Sequence, residues 1–133
     1  MLTPVQPSSP LRASDIREGI VCRIRLCDAK SHNTLSTSED IHFTIDGGAM
    51  LYPEIIAPLW ERMIALPVGE QSRCHDPGFC IQINQLQGYR IAAICWECNN
   101  ISICVNGNFF WQTFDAQSAV AKEFLSDLQS FVA

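Results

Sequence analysis

Residues 79–114 read FCIQINQLQGYRIAAICWECNNISICVNGNFFWQTF, and this stretch decides the fold. Phe79, Ile81 and Ile83 alternate with Cys80, Gln82 and Asn84, the period of two that marks a strand with one buried face. Gln87-Gly88 makes a turn. Tyr89 to Trp96 follows as a nearly continuous apolar run, the pattern of a central strand covered on both sides. Asn99-Asn100 tolerates the left-handed backbone of a tight connection. Ile101 to Val105 is a further strand, and Asn106-Gly107 is a pair that two-residue hairpins favour. Phe109 to Phe114 closes a meander of three or four strands.

Downstream, Asp115 is placed to cap a helix, with Ser118 as its rival. Ala121, Phe124, Leu125, Leu128 and Val132 then fall on one stripe, so the segment is an amphipathic helix that packs on the sheet. Upstream, Ile20, Cys22, Ile24 and Leu26 alternate with Val21, Arg23 and Arg25, which makes Gly19 to Cys27 a strand. Asp28 to Glu39 is polar and reads as a loop. Ile41, Phe43 and Ile45 mark a second strand, ended by Asp46-Gly47-Gly48.

In LYPEIIAPLWERMIALP (residues 51–67), Ile55, Leu59 and Met63, and likewise Ile56, Trp60 and Ile64, stand four apart, so this is a helix. Pro53 suits a first turn, but an interior Pro58 removes a hydrogen bond, and the main helix is expected to begin there. Residues 68–78 form a loop. Strands, helix, strands, helix is the order of an α+β fold, a mainly antiparallel sheet with a meander in its second half and two packed helices.

A chain of 133 residues is one domain. The first 15 residues hold three prolines and three serines without apolar periodicity, so 1–15 is expected to be a flexible arm and 16–133 the globular part. With 47% hydrophobic and 17% charged residues, the composition excludes disorder. No apolar run approaches the roughly 20 residues a membrane helix needs, and the N-terminus lacks a secretory leader, so the expected location is cytoplasmic. The net charge is −5. The basic residues are scattered, with Arg23 and Arg25 the nearest to a cluster, which argues against nucleic acid as a partner. An acidic surface suits solubility or a basic protein partner.

Seven cysteines invite three readings. Cys74, His75, Cys95 and Cys98 have the residue types for a tetrahedral zinc site, although Cys74 and Cys80 are spaced too widely to form a second close pair. Cys95 and Cys98 have redox spacing, but a strand rather than a helix follows them, so no helix N-terminus lowers their pKa. The third reading is burial, because reduced cysteine behaves as a small hydrophobe, and Cys22 and Cys104 sit in strands. A disulfide between Cys95 and Cys98, or between Cys74 and a meander cysteine, requires an oxidising compartment.

Two segments carry a resemblance: Cys74-His75-Asp76-Pro77-Gly78-Phe79-Cys80-Ile81 and Ile94-Cys95-Trp96-Glu97-Cys98-Asn99-Asn100-Ile101. With Phe114-Asp115 and the helix that follows, residues 74–132 resemble a diffuse group of small bacterial proteins of unknown function. The resemblance implies a bacterial origin and a shared scaffold, and carries no activity.

Catalytic constellations are thin. His32 lies in a loop, His42 in a strand, and His75 could pair with Cys95 or Cys98 only without an assigned third group. Glu39-Asp40 reads as a solvated loop, and Gly47-Gly48 lacks a phosphate-binding pattern. The expected function is therefore a protein-binding domain without enzymatic activity, most concretely an acidic bacterial immunity or inhibitor protein that neutralises a toxin. Its expected contact residues are Asp76, Trp96, Glu97, Asn99 and Asn100. The alternatives are a small structural zinc domain and a small hydrolase or thiol redox enzyme; otherwise no cofactor is expected.

Overall fold

In the computed structural model, Asn106 and Gly107 adopt φ of 50° and 85°. These are the paired left-handed conformations of a type I′ turn, whose twist matches that of the strands it joins. The strands are β6 (Asn100–Val105) and β7 (Asn108–Thr113), and the meander runs back from them through β5 (Tyr89–Cys95) to β4 (Phe79–Gln85). The structure describes residues 5–27, 34–38, 41–70 and 78–132, with the side chains of 26–27, 34–38 and 41–42 left aside.

The first half adds β1 (Ile16–Cys27), β2 (Thr34–Ser38) and β3 (Ile41–Leu51), then α1 (Pro53–Ile64); α2 (Ala119–Phe131) ends the chain. All seven strands form one sheet in the order β2-β3-β1-β4-β5-β6-β7, every neighbour antiparallel. The α+β class, with a four-stranded meander in the second half, is what the periodicity predicts.

Four local expectations are corrected. β2 lies in the stretch read as a polar loop: its sequence TLSTS has strand-favouring threonines but little apolar alternation to reveal it. β3 does not stop at Gly47-Gly48. The register against β1 slips there, so that Arg23 faces Gly47 and Ile24 faces Ile45, leaving Asp46 as the extra residue of a bulge. Gly48 is needed for close approach, since a Cβ on it would stand 3.0 Å from the Cβ of Cys22. Helix α1 starts at Pro53 and runs through Pro58, which faces solvent. A mid-helix proline costs about 3 kcal/mol, while burying Ile56, Leu59, Trp60 and Met63 is worth about 1.5–3 kcal/mol each. The cap of α2 is Ser118, whose Oγ accepts from the Ala121 amide at 3.2 Å; Asp115 instead accepts from the Gln117 amide.

The N-terminal segment is also not a loose arm from residue 5 onward. Arg90 is 1% exposed in β5 and donates to the carbonyls of Pro7 (3.3 Å), Ser9 (3.0 Å) and Pro10 (3.3 Å) and to Gln85 Oε1 (3.1 Å). Trp60 Nε1 donates to Pro7 O at 2.9 Å, and Leu11 is buried in the core. A buried cation without a carboxylate needs such a cage, because its desolvation must be offset by hydrogen bonds. The segment supplies them and is thereby fixed.

Strand register assigns the faces. Val21, Ile81, Ala92, Ile103 and Phe110 form one cross-strand row. They belong to the main core with Ile56, Trp60 and Met63 of α1 and Phe124 and Leu128 of α2. On the opposite face run Cys22, Cys80, Ala93, Ser102 and Trp111. Here a second cluster joins Cys22, Ile24, Phe43, Cys80, Ile91 and Ala93. In a flat sheet β2 and β6 would stand about 24 Å apart, yet β2 touches β5 and β6. The sheet therefore curls over its second face, and the Asp46 bulge supplies local twist for that curl.

Candidate partner-binding site

Residues 96–99 connect β5 to β6 as a turn, and Asn99 takes the left-handed backbone (φ 54°). Three separate segments are joined here. Phe114 N donates to Asn99 O at 3.0 Å, and Asp115 N donates to Pro67 O at 2.7 Å. Asn99 Nδ2 donates to Glu70 O at 3.3 Å. Gly69 lies so close to the Phe114 carbonyl that a Cβ there would collide with it. The segments carrying Glu70, Glu97 and Asp115 thus meet at one end of the sheet, held by two main-chain bonds and the Asn99 side chain.

Trp96 anchors the turn from below. Its ring packs edge-on to Phe114 (5.1 Å, 67°) and stacks on Phe124 (6.1 Å, 26°). Its Nε1 is buried and has no hydrogen-bond partner among the described residues. A cleft of about 190 Å³ lies beside it, lined by Gly78, Phe79, Ile94, Trp96 and Glu97.

Of the expected contact residues, Glu97 is exposed, Trp96 and Asn99 are half-buried, and Asn100 is 2% exposed. Asn100 therefore offers no surface to a partner, and Trp96 presents only part of a ring that the core already uses. Asp76 lies outside the described residues. The joining of the segments that carry Glu70 and Asp115 to the 96–99 turn has no counterpart among the sequence expectations. Asp115 reads locally as a cap, and the Asn99 to Glu70 bond spans 29 residues, a distance no local pattern reports.

Cys74 and His75 of the zinc set lie outside the described residues as well. Cys98 is buried and disulfide-bonded. Cys22, Cys80, Cys95 and Cys104 are thiols, so the Cys98 partner lies beyond the described side chains and the Cys95-x-x-Cys98 pair is not closed on itself. A zinc site that uses Cys98 would require this bond to be reduced, since the thiolate is the ligand. Among the described residues no group of three or more His, Cys, Asp or Glu side chains is arranged to hold a metal.

The thiols share the second face. Cys22 and Cys80 are register partners, and Cys22 Sγ donates to Cys80 O at 3.9 Å. The hydrogen bond with Cys22 and complete burial hold Cys80 as a neutral thiol, well above the usual range. Tyr89 Oη lies 3.7 Å from Cys104 Sγ, and that contact raises the phenol's pKa. None of the three histidines has a described side chain, so the Cys–His pairing considered from sequence falls outside what the structure describes.

No family model matches this chain, and no curated protein or solved structure is significantly similar to it. No helix among the described residues is long and apolar enough to cross a membrane.

Proposed function

We propose that this chain is a protein-binding domain that presents the end of its sheet around the 96–99 turn, with Glu70, Glu97 and Asp115, to a basic partner. The observation that carries the reading is the stapling of three acidic segments by the Phe114–Asn99, Asp115–Pro67 and Asn99–Glu70 bonds. A pre-organised surface loses little entropy on binding. The net charge of −5 and pI near 5.0 favour encounter with a cationic surface. In its most concrete form the domain is a bacterial immunity-type inhibitor that covers a toxin's basic site. The disulfide at Cys98 favours an oxidising compartment over the expected cytoplasm.

The test is a photo-reactive residue at position 97 in the living source cell, followed by identification of the cross-linked protein and titration calorimetry. Glu97→Lys combined with Glu70→Lys should weaken binding about tenfold or more, and the wild-type affinity should fall as salt rises. Binding that is indifferent to both charge reversal and salt would refute the reading.

A further inference from the structure

Two turns meet at the end of the sheet opposite the 96–99 turn. Gln85 N donates to Gly88 O at 2.9 Å in the β4–β5 connection, and Asn106-Gly107 makes the β6–β7 connection. Asn106 joins them: its Oδ1 accepts from Tyr89 N at 2.8 Å, and its own N donates to Tyr89 O at 3.1 Å. The carboxamide lies so close to Gly88 that a Cβ on that glycine would collide with it. Asn106 and Gly107 are nevertheless exposed, and a Cβ built on Gly107 would meet nothing within 4 Å.

An asparagine followed by glycine is open to an internal reaction, because no Cβ on the next residue hinders its nitrogen. Of Asn33, Asn84, Asn99, Asn100, Asn106 and Asn108, only Asn106 precedes a glycine. The Gly107 nitrogen attacks Asn106 Cγ and forms a bond to it. The Cγ–Nδ2 bond breaks, and ammonia leaves with the proton from the Gly107 nitrogen. Water then opens the cyclic imide at either carbonyl, leaving aspartate or isoaspartate at position 106. The folded turn blocks the first step. Ring closure needs the Gly107 nitrogen on the Cβ side of the Asn106 Cα–C bond. A type I′ turn, the mirror image of type I, holds ψ there at about +30°, which sets that nitrogen almost opposite Cβ. Turning the carboxamide towards it would also break the bond from Tyr89 N.

We infer that Asn106-Gly107 is a deamidation site gated by the fold. The intact hairpin holds the amide unreactive, and the reaction runs only from states in which the turn has come apart. β7 ends the sheet, with β6 its one described neighbour, so this hairpin can open without the rest of the sheet. Isoaspartate routes the main chain through Cβ and Cγ. The longer backbone no longer fits a two-residue type I′ turn, so each such event locks the hairpin open. The step also adds one negative charge to a chain of net charge −5. The acidic turn lies at the other end of β6, and this inference does not depend on it.

The test is peptide mapping by mass spectrometry of the full chain held in mildly alkaline buffer, once folded and once unfolded in urea. Position 106 should convert about tenfold or more faster in the unfolded chain. Phe110→Ala removes a β7 ring that packs against the main core and leaves the Asn-Gly pair unchanged. It should speed conversion in the folded chain by about threefold or more, because opening costs less. The isoaspartyl chain, separated by ion exchange, should lose hydrogen-exchange protection across β7. Equal rates in the folded and unfolded wild type overturn the inference, and this comparison stands even where Phe110→Ala does not fold. So does a folded Phe110→Ala chain that converts no faster than the wild type, or an isoaspartyl chain whose β7 amides stay protected.

Discussion

The two faces of this sheet are filled by different kinds of side chain. Beneath the helices stand Ile81, Ile83, Ile94, Ile101 and Ile103, met by Ile56, Trp60, Met63, Phe124 and Leu128. Beneath the curl stand Cys22, Cys80, Ala93, Ser102 and Cys104, with Ile24, Phe43 and Ile91 as the larger members. Large side chains suit a layer about 10 Å thick between sheet and helices. Small ones suit a surface onto which another part of the same sheet folds closely. On this comparison the thiols of Cys22, Cys80 and Cys104 are explained by their size, and no chemistry has to be invoked for them.

The comparison breaks most visibly if the helix-covered face tolerates truncation. Phe124 is fully buried, stacks on Trp96 and receives the Arg62 guanidinium at 5.4 Å from its ring. Phe124→Ala should cost about 3–5 kcal/mol in urea unfolding. A loss below about 1 kcal/mol would mean that α2 is not part of the cooperative core.

Arg90 tests the border of that same face. Arg90→Met keeps the stem but strips four hydrogen bonds from the N-terminal segment and Gln85. We expect a loss of about 2–3 kcal/mol and early proteolytic cutting between residues 5 and 11, while the sheet stays resistant. If that segment keeps its protection, the cage around the guanidinium is not what holds it.

The helix-covered face was largely legible in the sequence, and the curled one was not. Ile81 and Ile83 alternate, Phe124 and Leu128 stand four apart, and Asn106-Gly107 declares its own turn; each signal lies within a few residues of its consequence. The curl depends on a bulge at Asp46 that looks like a turn, and on β2 reaching β6 across about 65 residues of chain, which no local pattern encodes. Arg90 did carry a signal. A strand covered on both faces with an arginine in it must provide that arginine with acceptors, although only the structure identifies them as Pro7, Ser9 and Pro10. At the candidate site the turn itself was legible, yet which of Asn99 and Asn100 faces inward was settled by register, with Asn100 opposite Thr113 inside the ladder.

The curled face should respond more mildly. Cys22→Ala and Cys80→Ala each delete one sulfur atom from the second cluster, and each should cost about 1 kcal/mol, within the range for losing one buried methylene-sized group. Because the two residues touch, the double variant should depart from additivity by about 0.5 kcal/mol or more. Unfolding midpoints of the four proteins, measured with and without a chelator, decide the matter. A chelator-dependent loss several times larger would return a metal to the thiols.

The smallest effect expected is at the open end of the curl, where Tyr89 touches Cys104. The hydrogen bond to Cys104 raises the Tyr89 pKa above the ordinary 10.0, and burial adds to it. A phenol whose pKa is raised on folding is favoured in its neutral form, so its contribution is fully present below the unfolded-state value and fades as pH climbs through the folded-state one. Wild-type stability should therefore decline above about pH 10, and Tyr89→Phe, which cannot ionise, should decline less steeply. Tyr89 is partly open to solvent, so the difference in slope should be small, and it is best read as the ratio of unfolding midpoints between about pH 9 and pH 11. Identical slopes for the two proteins would show that the phenol and the Cys104 thiol do not share a proton-dependent bond, leaving Tyr89 only a packing role at the edge of the second cluster.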